Sequence, residues 1–175
     1  MASFGRRRSL RLKDYDYSTP AFYFLTMCTH QRKHIFGSIE RATINLTDCG
    51  RIVDSCWRSV RTAFDFIEPD AFVIMPNHFH AVLRLNEGNT TQLSVIVRKF
   101  KSASARKCNA VLGLSQNHIW QRNYYEHIIR KERELNLIRL YVDMNPALWS
   151  NGIEFREYDF RSEEELSRLL SRYRV

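Results

Sequence analysis

The chain has 175 residues, 44% hydrophobic and 26% charged, a balance that suits a soluble globular domain and excludes a disordered or low-complexity polymer. Its 27 Lys and Arg against 19 Asp and Glu give a formal charge of +8, which favours a polyanionic partner. No apolar run approaches the roughly 20 residues that cross a bilayer, and the start, "MASFGRRRSLRLKDYDYS", has no apolar block behind its arginines, so a cytoplasmic protein with no membrane partner is expected.

The cations are clustered. Residues 6–13, "RRRSLRLK", hold five with no anion, beginning at Arg6, Arg7 and Arg8, and residues 98–107, "RKFKSASARK", hold five more in Arg98, Lys99, Lys101, Arg106 and Lys107. Each phosphate that such a cluster neutralises releases a condensed counterion, so DNA contact is the sharper reading and a solvated basic face the blander one. "AFYFLTMCTH", residues 21–30, is rich in aromatic and apolar residues and predicts a first strand. From Thr47, a plausible cap, Ile52, Val53, Cys56, Trp57, Val60 and Phe64 recur at helical spacing, which predicts a helix over 47–64. The four cysteines, Cys28, Cys49, Cys56 and Cys108, lack C-x-x-C spacing and read as reduced thiols.

"AFVIM", residues 71–75, is apolar on both pleat faces and predicts a central strand. Pro76 and Asn77 then turn the chain into a second strand, with Phe79, Ala81, Leu83 and Leu85 on one face and His78, His80, Val82 and Arg84 on the other. Histidines two positions apart on a strand point the same way at about 6.6 Å, close enough to converge on one ion. Two imidazoles make half a metal site, and a third ligand has to come from elsewhere. Half-buried structural histidines are the plainer alternative.

After the polar loop "NEGNTT", Leu93, Ile96, Val97 and Phe100 mark a second helix, its other face carrying the cations of 98–107. "HIWQRNYYEHIIR", residues 118–130, predicts a strand or extended segment; Trp120 and Tyr124 are candidates for stacking unpaired bases, or for packing under the sheet. Tyr124 and Tyr125 are also candidate nucleophiles; His127 is an extra metal ligand or acid-base group or, the plainer reading, a structural histidine, and Tyr15 and Tyr17 read as structural. Leu135, Leu137, Ile138, Tyr141, Val142 and Met144 give a third helix, expected to end near Asn145 because Pro146 disfavours helical geometry in the residue before it. A capping box from Ser162 to Glu165 opens a terminal helix with Leu166, Leu169, Leu170 and Tyr173. The predicted whole is one α+β domain over 1–175, an antiparallel sheet with helices packed on one face.

The block "MPNHFHAVL" resembles the His-hydrophobic-His signature of HUH nucleases, and more narrowly that of IS200-type transposases and their REP-associated tyrosine transposase relatives. "LRLKDYDYSTPAFYFLT", "FGSIE", "LTDCGRIVDSCW", "FKS", "IWQRNYYEHIIR" and "LYVDMNPALW" are similar to blocks of that family in the same order, so the resemblance runs from about residue 10 to residue 149 and leaves 150–175 as a helical tail.

That resemblance implies a ferredoxin-like (RRM-like) HUH fold and a metal-dependent tyrosine nuclease and strand transferase acting on single-stranded or hairpin DNA. It places a divalent ion, Mg2+ or Mn2+, on His78 and His80, and the nucleophile at Tyr141, which would leave a 5′-phosphotyrosine and a free 3′-hydroxyl. Asn145 falls where relatives carry a polar third ligand, often Gln, and it is one methylene shorter. Spacing agrees, since Tyr141 and Asn145 are one helical turn apart on one face. A tyrosine with pKa near 10 also needs a cation beside it to act at neutral pH. A phosphotyrosine conserves the bond energy for rejoining, so no nucleotide cofactor is expected, and the chain has no G-x-x-x-x-G-K-[ST] loop. IS200-type relatives are dimers that exchange the nucleophile helix and REP-associated ones can be monomers, so a homodimer stays open. Two other functions stay open as well: a DNA-binding regulator of repeats that does not cleave, and a rolling-circle initiator or relaxase, which commonly has a third histidine and longer accessory domains.

Overall fold

β1 (Ala21–Cys28) is aromatic and apolar on both pleats, and both of its faces are covered, which makes it a central strand rather than an edge. The computed structural model describes residues 12, 14–115, 119–152 and 163–173. After β1 come a 3-10 turn (His30–Arg32), a hairpin of β2 (Gly37–Glu40) and β3 (Thr43–Leu46), then α1 (Asp48–Arg58) and the short α2 (Val60–Ala63). β4 (Ile67–Met75), β5 (His78–Leu85), α3 (Leu93–Leu112), β6 (Tyr125–Ile129), α4 (Glu132–Ser150) and α5 (Glu163–Tyr173) complete the chain.

The main sheet has the order β4-β5-β1-β6 with every neighbouring pair antiparallel. With α1 between β1 and β4, and α3 between β5 and β6, this is the β-α-β-β-α-β arrangement of the ferredoxin-like folds. The expected antiparallel α+β sheet is therefore present, with Met75 facing His78 across the two-residue turn at Pro76 and Asn77.

The helices cover both faces, not one. Tyr23, Leu25, Met27, Phe79, Ala81, Leu83 and Leu85 form a core with Trp57 of α1 and Phe100 of α3. Phe24, Val73, Met75 and Val82 form a second core with Ile138, Tyr141 and Val142 of α4 and Leu166 of α5. The reason lies in β1 and β4, whose apolar residues occupy both pleats and so need a cover on each side.

Thr47 caps α1 as expected, its Oγ1 accepting from Gly50 N at 3.2 Å, but the predicted 47–64 helix breaks at Ser59 into α1 and α2. A Cβ at Gly50 would run into the Phe36 carbonyl, so glycine lets α1 lie against the β2 approach. The β2–β3 hairpin was not foreseen; Arg41 and Ala42 turn it with φ 49° and 61° where Gly or Asn is the usual signal. Among the described residues of 118–130, Tyr125–Ile129 is strand, with Trp120 bridging to Thr29.

The third helix does not end near Asn145: α4 continues through Pro146 to Ser150. Proline removes one helical hydrogen bond, a cost of about 3 kcal/mol, and burial of Leu148 beyond it against the second core offsets that cost. The terminal helix is found as α5, while Ser162 of the proposed capping box lies outside the described residues.

Candidate active site

Strict alternation along β5 puts Phe79 and Ala81 in the first core and turns His78 and His80 toward α4, fully buried. Their rings lie 4.6 Å apart between centroids at 70°. Each is oriented through Nδ1. Asn77 Oδ1 accepts from His78 Nδ1 at 2.7 Å, and Thr26 Oγ1, on the neighbouring β1, meets His80 Nδ1 at 2.8 Å. These contacts at Nδ1 fix the two ring orientations and turn each Nε2 toward the α4 side, and the Asn77 bond keeps the His78 proton on Nδ1.

Both imidazoles are neutral at pH 7. Burial is the main cause for His78, whose pKa falls to about 3, with the Arg32 charge next and a hydrogen bond to Asn145 opposing. Burial also dominates for His80, held well below its usual value, with His78 and Arg32 adding to the effect. Neutral imidazole is the ligating form.

From α4, Tyr141, Asn145 and Trp149 point at this pair as a stripe at four-residue spacing. The Tyr141 hydroxyl lies 3.4 Å from His80 Nε2, with ring centroids 5.4 Å apart. Asn145 is 5% exposed, its Nδ2 donating to the Tyr141 carbonyl at 3.5 Å, and it lies beside His78. Trp149 packs against His78 at 5.9 Å and His34 at 5.4 Å. All four expected residues, His78, His80, Tyr141 and Asn145, thus meet in one chain. The donor set is two neutral imidazole nitrogens and one carboxamide; among the described residues no group of three His, Cys, Asp or Glu is placed to hold a metal ion. This set fits a divalent ion that takes its remaining ligands from water or a phosphate, with His78, His80 and Asn145 as the protein's share.

Thr26, Asn77, Arg32, His34 and Trp149 were not picked out by sequence. Thr26 looks like any strand-forming threonine and Asn77 like a turn residue; only the period of Trp149, eight residues after Tyr141, carried a signal.

The other candidates lie elsewhere. Trp120 is buried at 7% exposure, its Nε1 donating to Ser104 Oγ at 3.0 Å and its ring enclosed by Phe36 and Phe100, so it is a core residue and not a stacking platform. Tyr124 is half-buried against the first core, and Tyr125 packs near Phe24. Arg98, Lys99, Arg106 and Lys107 are exposed on α3, with the Lys99 ammonium 4.9 Å above the Phe64 ring. Lys101 turns inward to donate to the carbonyls of Gln121, Arg122 and Asn123 at 2.6, 3.2 and 3.4 Å, and burial lowers its pKa to about 8. His127 Nε2 pairs with Glu134 Oε1 at 2.7 Å, a structural link between β6 and α4. Arg6, Arg7 and Arg8 lie outside the described residues. No helix among the described residues is long and apolar enough to cross a membrane.

Comparison with known proteins gives the same direction. A Haemophilus influenzae protein described as uncharacterized is 36% identical over 171 residues, covering 85% of this chain and 92% of the relative. A REP-associated tyrosine transposase of Escherichia coli is 27% identical over 128 residues, covering 69% of this chain and 73% of the relative. The solved structure of a REP-associated tyrosine transposase bound to a REP hairpin shares the fold, with TM-score 0.61 at 23% identity over 82% of this chain and 75% of that one. The family described as Transposase IS200 like matches residues 21–145, and the chain therefore belongs to the IS200-like transposase family.

Proposed function

We propose that this transposase cleaves and rejoins single-stranded or hairpin DNA with Tyr141 as nucleophile, using a divalent ion, Mg2+ or Mn2+, on His78, His80 and Asn145. One observation carries the reading: the Tyr141 hydroxyl lies 3.4 Å from His80 Nε2, although 61 residues separate them in sequence. A tyrosine against a metal-ligating histidine is placed to attack a phosphate held by the same ion. The ion, when bound, would polarise a phosphoryl oxygen and favour the phenolate.

The chain's own residues supply the rest. Tyr141 loses its proton to solvent and its oxygen bonds phosphorus as the bond to the 3′-oxygen breaks. That oxygen leaves with the electron pair and takes a proton, giving a 3′-hydroxyl and a 5′-phosphotyrosine. Attack by another 3′-hydroxyl reverses these events, with no nucleotide needed. The exposed cations of α3 support DNA binding, and a neighbour of the same fold was solved with a REP hairpin.

A labelled hairpin oligonucleotide with single-stranded flanks, incubated with protein and Mn2+, tests this. Wild type should form a covalent adduct, and Tyr141→Phe should form none while its Kd for the oligonucleotide stays within about twofold. An adduct from Tyr141→Phe would transfer the role to Tyr124 or Tyr125, and a shifted oligonucleotide with no wild-type adduct would leave a DNA-binding regulator.

A further inference from the structure

Two of the three tryptophans are core residues: Trp57 is fully buried and Trp120 is 7% exposed, both in the first core. Trp149 differs, being half-buried at the margin of the second core. Leu148, one residue earlier, is the one that enters that core; Trp149 falls in the stripe of Tyr141 and Asn145 and keeps part of its surface in solvent. Its ring is held from two sides. His78 lies 5.9 Å away between centroids with the planes at 37°, and His34 lies 5.4 Å away with the planes at 64°. Both histidines are tied to the turn at Pro76 and Asn77. His78 begins the strand after it, and the segment that carries His34 is fastened to it at either end, Thr29 N and Oγ1 donating to the Asn77 carbonyl at 3.0 Å and Phe36 N to the Pro76 carbonyl at 3.1 Å. Beside Trp149, Ser150 Oγ accepts from Ala42 N at 3.2 Å and links the end of α4 to the β2–β3 hairpin. The indole is therefore in place before any ligand arrives.

An uncharged aromatic one ring away from His78 has little to offer a phosphate, but it suits what a phosphate carries. In DNA a nucleobase hangs one sugar away on either side of each phosphate. An unpaired base exposes a π-face that an indole covers whatever the sequence, because every base has such a face. A base inside a duplex has both faces covered by its neighbours in the stack. The contact is thus open to DNA that is single-stranded where it is cut, and the chain's formal charge of +8 favours such a polyanion over an apolar occupant.

We propose that Trp149 stacks on the unpaired base of a nucleotide flanking the scissile phosphate at His78 and His80, and so selects DNA that is single-stranded at the cleaved position. This rests on the cleavage reading above.

The test measures Kd with Mg2+ on a Tyr141→Phe background, where no covalent adduct is expected, after the wild-type adduct has mapped the cleaved position. The probes are the hairpin oligonucleotide with single-stranded flanks and a set in which one flank base at a time is removed to leave an abasic site. Adding Trp149→Leu should weaken binding of the intact oligonucleotide about 5- to 100-fold, and Trp149→Phe should recover most of the loss. At a nucleotide next to the cleaved phosphate, the abasic site should weaken binding by a similar factor when Trp149 is present and hardly at all in the Trp149→Leu protein. A Trp149→Leu defect of one size on every abasic probe would make Trp149 a packing residue and overturn the proposal, as would an unchanged Kd on the intact probe or a coupled base further along the flank. Tryptophan emission gives a second readout, since a stacked base quenches the indole it covers while Trp57 and Trp120 are shut in the first core. Emission should fall as oligonucleotide is added, and the same fall in Trp149→Phe would count against stacking. A wild-type adduct without the coupling would remove this proposal alone, whereas no adduct from wild type would remove the cleavage reading and the proposal with it.

Discussion

Thr26 and Asn77 hold the two buried histidine rings in place, by contacts that reach Nδ1 at 2.8 and 2.7 Å. Replacing Thr26 by Val keeps the shape of the strand residue and deletes the hydroxyl, which removes the contact that orients the His80 ring. Support of this kind is typically worth about 10–100-fold in metal affinity. Thr26→Val should therefore weaken Mn2+ binding by that order in calorimetry, with an unchanged melting profile, and undiminished affinity would detach Thr26 from the site. The pairing of His78 with His80 was legible because a strand period of two leaves no choice about faces, and Tyr141 with Asn145 because a helix period does the same. Thr26 was not legible: its role depends on strand register, and Thr26↔His80 is a pairing across 54 residues. Trp120 shows the opposite failure, since an aromatic in an extended segment has the same pattern whether it faces a base or the core.

At the scale of elements, α4 brings Tyr141, the proposed nucleophile, and is fastened to the sheet at two places. Arg139 forms a two-pronged pair with Asp70 of β4, Nε to Oδ1 at 2.9 Å and Nη2 to Oδ2 at 2.5 Å. Glu134 accepts from Arg130 N at 3.0 Å while its other oxygen meets His127. The Arg139 hydrogen bond is the main reason the Asp70 pKa lies below its usual 3.8. A carboxylate with a depressed folded pKa contributes stability above its unfolded value and loses it as pH falls through the folded one. Since the Arg139 side chain is 40% exposed, the pair is worth about 1 kcal/mol at neutral pH. Arg139→Gln should lower the melting temperature at pH 7 by a few degrees, and the difference from wild type should close as pH falls below 3.8. A gap of constant size down to pH 2 would show that the pair carries no such linkage. The extent of α4 was misread from Pro146 because a local rule about proline was weighed without the burial of Leu148, which only the second core reveals.

For the whole molecule, the sheet separates two surfaces that DNA binding would have to join. The cations of α3 stand on the face of the first core, and the histidine site stands on the face of the second. A DNA segment touching both would pass around a sheet edge, lined by β4 or β6. If Arg98, Lys99, Arg106 and Lys107 each meet a phosphate, replacing all four by Gln should reduce the slope of log K against log salt by about 3 for single-stranded DNA. A slope unchanged by the replacement would confine DNA to the histidine face. The two-sided cover was legible in part, because "AFYFLTMC" and "AFVIM" are apolar on both pleats, yet the number of helices on each side depends on crossovers that periodicity does not report. Strand β1, which holds Thr26, is hydrogen-bonded on both sides, to β5 and to β6, whereas α4 meets the sheet through side chains. Backbone amides around Thr26 and His80 open to solvent only when the sheet itself comes apart, while a helix docked by side chains can leave on its own. The two halves of the proposed centre are thus held by different means: the histidines by the backbone ladder of the sheet, and Tyr141 by the side-chain contacts that dock α4.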